Sequence, residues 1–135
     1  IRSMSTPEGA HARAKYNLHT GYREGQGGLV YPSLGSIVSK ELGSETAAMP
    51  NFVSIGSRAY GSGFLGARHQ PLIVNDAARG VENLRAGINQ GQFNDRVNLL
   101  NELESGFQRE HNANTAQAHR TTMQRAVTLM RDTGT

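Results

Sequence analysis

Sixteen of the 135 residues are glycine, about 12% against an average usage of ~7%, and their placement constrains the fold more than any single motif. Gly21, Gly25, Gly27 and Gly28 crowd one stretch; Gly56, Gly61, Gly63 and Gly66 crowd another. Glycine reaches backbone conformations closed to other residues and weakens the interior of a helix or strand. Residues 21–31 and 56–70 are therefore predicted to be loops, and only short elements fit around them. The other apolar residues make up 36% of the chain; with glycine the total approaches the ~45–50% of ordinary globular proteins. Disorder and coiled coil are poor readings. With no cysteine, neither a disulfide framework nor a thiolate metal site is available. No apolar run approaches the ~18 residues that mark a membrane span.

The formal charge is 14 − 11 = +3. Residues 1–70 carry seven basic and four acidic side chains; residues 71–135 carry seven of each. No Lys/Arg run resembles a nucleic-acid stripe, so no nucleic-acid partner is expected. The positive half suits a small anion, as a weak signal.

Residues 1–4 read as the end of a strand, and both ends of the chain read as cut from something longer. The run His11–His19 holds good helix formers, with Thr20-Gly21 closing it and Gly21 past the end. A second helix begins after Pro32-Ser33, with Ser33 as N-cap; Leu34, Ile37, Val38 and Leu42 form one stripe expected to be buried, and Gly43 closes the helix. Asn51–Ile55 reads as a strand, and Pro71–Val74 as another short one. Helix, short loop and strand in that order indicate an α/β fold. Asn75–Gly91 is irregular. Phe93, Val97, Leu100, Leu103 and Phe107 follow helical spacing. After a turn at Asn112–Thr115, with Asn114 as N-cap, the residues Ala116, His119, Met123, Ala126, Val127 and Met130 do so again. The two helices predict an antiparallel hairpin over 92–131, with His119 a core histidine and His111 exposed at a helix end. The chain thus divides into an α/β part with glycine-rich loops, 1–91, and the hairpin.

Gly61-Ser62-Gly63-Phe64-Leu65-Gly66 matches the G-x-G-x-x-G pattern of dinucleotide sites, which requires a helix to open there. Pro71 and a strand-like run follow instead, so a plain loop is the better reading. Arg58, Arg68 and His69 flank that loop and are candidate anion donors, against the simpler account that they are solvated surface charge. The pairs His11/His19 and His111/His119 are each eight residues apart, about 12 Å along a helix and too far for one ion. No metal site is expected within the chain. Ser5, Thr6 and His11 crowd the start of the first helix, with Arg13 one turn in. Free N–H groups there favour a developing negative charge, although Ser, Thr and Pro before a helix are also ordinary capping chemistry, the preferred account on the residues alone.

A series of motifs carries a resemblance: Ile1-Arg2-Ser3-Met4-Ser5-Thr6-Pro7-Glu8-Gly9-Ala10-His11, His19-Thr20-Gly21-Tyr22, Tyr31-Pro32-Ser33-Leu34-Gly35-Ser36, Leu42-Gly43, Pro50-Asn51-Phe52-Val53 and Gly63-Phe64-Leu65-Gly66. In this order they resemble a bacterial family, the domain of unknown function 1501, through to about Met130. The family is usually placed in the alkaline phosphatase and sulfatase superfamily. The resemblance implies a partial α/β/α sandwich of alkaline phosphatase-like type, ending in the helical hairpin. It implies an internal fragment of a longer, exported or periplasmic hydrolase acting on sulfate or phosphate esters, small or glycan, and inactive alone. A divalent metal would belong to the full-length parent, and the remainder of that domain would be the fragment's partner. In sulfatases the nucleophile precedes a Thr-Gly helix end; counting back nine residues from Thr20 reaches His11. Sulfatases carry Cys or Ser there, and phosphatases Ser or Thr. This chain departs from both, leaving His11, Ser5 and Thr6 as catalytic candidates and Arg13, Arg58, Arg68 and His69 as anion-binding ones. The alternative is a non-catalytic anion- or glycan-binding protein on the same scaffold. A piece with few short strands leaves edges and apolar faces open, so the isolated chain is expected to be marginal or aggregation-prone.

Overall fold

The computed structural model describes residues 3, 5–44, 47, 49–57, 59–110 and 114–132. The expected strand end at residues 1–4 falls largely outside them, as do Arg58 and His111; Ser3 itself lies in a turn. The described chain is mixed α/β, with four α-helices and a two-stranded parallel sheet. In order they are α1 (His11–Thr20), α2 (Leu34–Glu41), β1 (Val53–Ile55), β2 (Leu72–Val74), α3 (Gln90–Glu110) and α4 (Asn114–Asp132). In β1 and β2, Val53 sits opposite Leu72, Ser54 opposite Ile73 and Ile55 opposite Val74. Parallel strands need a long connection, and residues 56–71 supply it with no α-helix among the described residues.

The glycine clusters fold as expected. Gly21 takes a left-handed conformation (φ 78°), and its N–H caps α1 on the Asn17 carbonyl. The G-x-G-x-x-G segment opens no α-helix; it forms short 3₁₀ turns at Gly63–Leu65 and Ala67–His69. At Gly63 (φ 51°) a Cβ would run into the backbone of Val30, Tyr31 and Pro32. The Ser33 N–H donates to the Gly61 carbonyl (3.0 Å) and the Phe64 N–H to that of Val30 (3.1 Å). The two glycine-rich loops are thus sewn together by their backbones.

α2 corrects an expectation. Its apolar stripe is turned outward: Leu34 is 65% exposed and Leu42 82%, and Ile37 and Val38 are exposed too. The buried face is the small one, with Ser36 0% exposed and Ser33 and Ser39 buried. The reason is steric. A Cβ on Gly35 would lie 2.5 Å from the Phe52 ring, so hydrogen on that face lets the helix approach Phe52, the residue before β1, closely. Ser33 does occupy the N-cap position, but its hydroxyl bonds the Ser36 hydroxyl (3.3 Å) instead of a backbone N–H of the first turn. Leu42, not Gly43, is the C-cap. A Cβ at Gly43 would strike the Ser39 carbonyl and the Asn51 side chain, and this close approach is why glycine stands there.

The hairpin forms antiparallel, because the Asn94 side chain bonds Arg131 (3.3 Å) while Glu104 bonds His119 (2.9 Å). α4 begins at Asn114, inside the stretch expected to turn. Its inward face carries Leu129, 6% exposed. His119 is no core residue: its ring is exposed and paired with Glu104. Leu103 and Phe107 of the expected α3 stripe are exposed as well.

Candidate functional site

Two separate corners hold the groups suited to an anion. The first is the entrance to α1. Ala10 is the N-cap residue (φ −89°, ψ 124°), and among the described residues no side chain caps the first turn. Its N–H groups therefore face outward with the partial positive charge of the helix end. His11, the first helical residue, is exposed. Thr6 is half-buried; its Oγ1 accepts the Glu8 N–H (3.4 Å) and lies 3.5 Å from Asn17 Oδ1. This ties the preceding loop to the body of α1. Ser5 is exposed beside it. Arg13 donates through Nε to Glu8 Oε2 at 2.8 Å. That hydrogen bond, the largest influence on Glu8, holds its carboxyl below the ordinary carboxylate range and raises the pKa of Arg13. The cation expected to serve an anion is thus already paired.

Aromatic side chains fix this corner to the fold. The Tyr60 hydroxyl donates to the Ala12 carbonyl (3.2 Å), in the first turn of α1. Its ring meets Tyr16 edge-on at 5.3 Å and lies 5.4 Å from that of His19. The Tyr16 hydroxyl accepts the Tyr31 N–H (3.0 Å). At the far end, the buried Thr20 hydroxyl donates to the Tyr16 carbonyl (2.8 Å) and accepts the Tyr22 N–H (3.2 Å). The Thr20-Gly21 pair thus ends the helix through both the hydroxyl and the left-handed glycine.

The second corner gathers Arg68 and His69, on the turn Ala67–His69, with α2 and α4. His69 Nδ1 lies 3.3 Å from the hydroxyl of the buried Ser39. Arg125, half-buried on α4, donates through Nη1 to the carbonyls of Ala67 (3.2 Å) and Arg68 (2.8 Å). Burial, and then the neighbouring charge of Arg68, lowers the Arg125 pKa from its ordinary value. The structure therefore does not bring Arg68 and His69 to Arg13: the flanking residues of one loop serve a different region from the start of α1. Sequence reasoning missed Arg125 and Ser39, since they meet this turn across 57 and 30 residues and no local spacing marks them.

Among the described residues no three His, Asp or Glu side chains gather as a metal site. No described helix is long and apolar enough to cross a membrane. No curated protein and no solved structure matches the chain. A family model does, over residues 1–133, in agreement with the motifs that run from Ile1 through Gly66: the chain belongs to the family described as Protein of unknown function (DUF1501).

Proposed function

We propose that this chain supplies the anion-facing helix entrance of a sulfatase-like hydrolase that acts on sulfate or phosphate esters. The observation that carries the reading is the start of α1, with no side-chain cap among the described residues and with His11 exposed at its first position. Backbone N–H groups at such an end attract an oxyanion. An exposed imidazole beside it is suited to hold that anion or to move a proton to the leaving oxygen. The preceding loop offers the Thr6 and Ser5 hydroxyls as oxygen nucleophiles.

The larger α/β/α sandwich is part of the same proposal. A two-stranded parallel sheet is not a stable layer by itself, and parallel sheets are found covered on both faces. The outward stripe of α2 and the exposed Val53 and Ile55 of β1 are surfaces that such a sandwich covers with further layers.

The deciding assay takes the longest natural form of the polypeptide, supplied with divalent metals, against a panel of sulfate and phosphate esters. Turnover is expected, and His11→Ala should reduce it about 100-fold, the usual scale for a proton-transfer group. Unchanged turnover in that variant removes His11 from the site. Binding of the esters or of anionic glycans without turnover would establish the second reading, a non-catalytic binding protein. That reading is favoured by one observation: histidine stands at the helix start, and the half-buried hydroxyl of the preceding loop, that of Thr6, is already engaged by Glu8 and Asn17.

A further inference from the structure

We propose that the outer face of the Tyr22 ring, beyond the far end of α1, is a stacking platform for the pyranose ring of a carbohydrate. The Tyr22 and Tyr31 rings lie parallel, with 3.9 Å between centroids and 8° between planes. Phe64 closes the row, edge-on to Tyr31 at 6.1 Å. Tyr31 therefore covers one face of Tyr22. Tyr22 is nonetheless 44% exposed, and no second ring meets it among the described residues. One face of the row is thus open to a ligand.

The row is fixed in place by its backbone. Each of its three residues has its N–H bonded: Tyr22 to the Thr20 hydroxyl (3.2 Å), Tyr31 to the Tyr16 hydroxyl (3.0 Å) and Phe64 to the Val30 carbonyl (3.1 Å). Thr20 and Gly21, just before Tyr22, are themselves tied to the last turns of α1. A tyrosine side chain has few rotatable bonds, so a pinned one presents a large contact area at low entropic cost. Closing the loop 21–31 by its two ends uses only the facing sides of Tyr22 and Tyr31. A flat ring held firmly with its other side in water is what recognition requires and loop closure does not.

The open face selects the ligand. An aromatic face carries the negative part of the ring quadrupole. The C–H bonds on one side of a pyranose, polarised by the neighbouring oxygens, are its complement, and that apolar side sheds water on stacking. A cage for a cation surrounds the charge with several ring faces; here the facing sides of the two tyrosines are spent on each other. Arg23 and Glu24 follow Tyr22 and are both exposed. They bring a donor fork and an acceptor carboxylate, with no net charge, to the margin of the ring. Neutral sugar hydroxyls, which donate and accept, can use both. The phosphate of a nucleotide would be repelled by Glu24.

Saturation-transfer NMR on the longest natural form of the polypeptide tests the platform, with neutral cellotetraose, galactotetraose and chitotetraose as probes. Transfer to the ring C–H protons of at least one of them is expected. For that sugar, Tyr22→Ala should weaken binding about tenfold. Tyr22→Phe keeps the face and should bind within about twofold of the natural chain. Tyr22→Leu keeps apolar bulk without the quadrupole and should weaken binding as Tyr22→Ala does. Isotope-labelled tyrosine reads the same site without substitution, should those two variants fail to fold: the Tyr22 ring signals should shift on titration and saturate. Absence of transfer from all three sugars, tyrosine signals that stay fixed, or equal affinity in Tyr22→Leu and the natural chain overturns the proposal. Tighter binding of adenosine than of any of the sugars would place a nucleobase on the ring and overturns it too. The probes carry neither charge nor ester, so failure here leaves the reading of the α1 entrance standing, and failure of that reading leaves this one.

Discussion

Arg13 and Arg125 each sit on a helix beside a candidate site, and they differ in almost every other respect. Arg13 is exposed, and its partner Glu8 lies five residues away in the sequence. Arg125 is half-buried, and its partners are carbonyls 57 and 58 residues away. The first is a local ion pair in water, where Coulomb energy is small and side-chain entropy opposes it. The second joins two parts of the chain, and among the described residues no carboxylate bonds it. A charge matched by its near neighbour reports little about function; a charge that the fold encloses against backbone carbonyls reports more.

The loop that carries both corners is the place to break this comparison hardest. Tyr60 reaches α1, residues 67 and 68 reach α4, and Gly63 lies between them against the other loop. Gly63→Ala forces a Cβ into that backbone from a left-handed conformation and should remove about 2–3 kcal/mol of stability. Denaturant midpoints would register it, and an unchanged midpoint would show that the two loops are not packed as described. Next comes the tether itself. Arg125→Met keeps the bulk, takes the donor from two carbonyls and should lower stability by about 1–2 kcal/mol; an increase in the midpoint would mean that the enclosed charge opposes folding more than its bonds favour it.

Smaller effects sharpen the α1 side. Tyr60→Phe retains the ring contacts with Tyr16 and His19 and loses only the bond to the Ala12 carbonyl, a loss of about 0.5–1 kcal/mol. A larger loss would mean that this hydroxyl organises the whole entrance. The smallest effect belongs to Arg13→Gln, which should lower the denaturant midpoint only slightly at neutral pH. Its signature is in titration: the Glu8 carboxyl, held low by Arg13, should return to the ordinary carboxylate range, as followed by NMR. The sign follows from linkage. A carboxyl lowered in the folded state stabilises above its unfolded pKa, and that contribution is lost as pH falls through the folded value. The variant should lose that acid-side dependence.

The ends of α1 were legible because a helix stop is local chemistry: Gly21 has the backbone freedom the cap requires, next to Thr20. The two loops were legible for the same reason. The orientation of α2 was not. Leu34, Ile37, Val38 and Leu42 mark an apolar face, but a periodic stripe cannot say which layer covers it, and the serine and glycine side is what sits against Phe52. His119 was misread in the same way, since α4 turns Leu129 inward and leaves the ring to meet Glu104. Of the site residues, Thr6, His11 and Arg13 cluster because they are near in sequence. That Arg68 and His69 meet α2 and α4 instead of Arg13 was not legible, because only the path of residues 56–71 decides which helices they meet.

The inverted setting of α2 bears on how this region becomes rigid. Its inner side is built from hydroxyls and hydrogen atoms, which contribute little apolar burial, so the helix is held mainly by shape and a few polar links. Its outer leucines are the larger source of hydrophobic free energy, and they gain it only when something lies over them. Amide exchange in α2 should consequently be fast in the chain studied by itself and slow sharply once that oily flank is capped, making this helix a reporter of assembly.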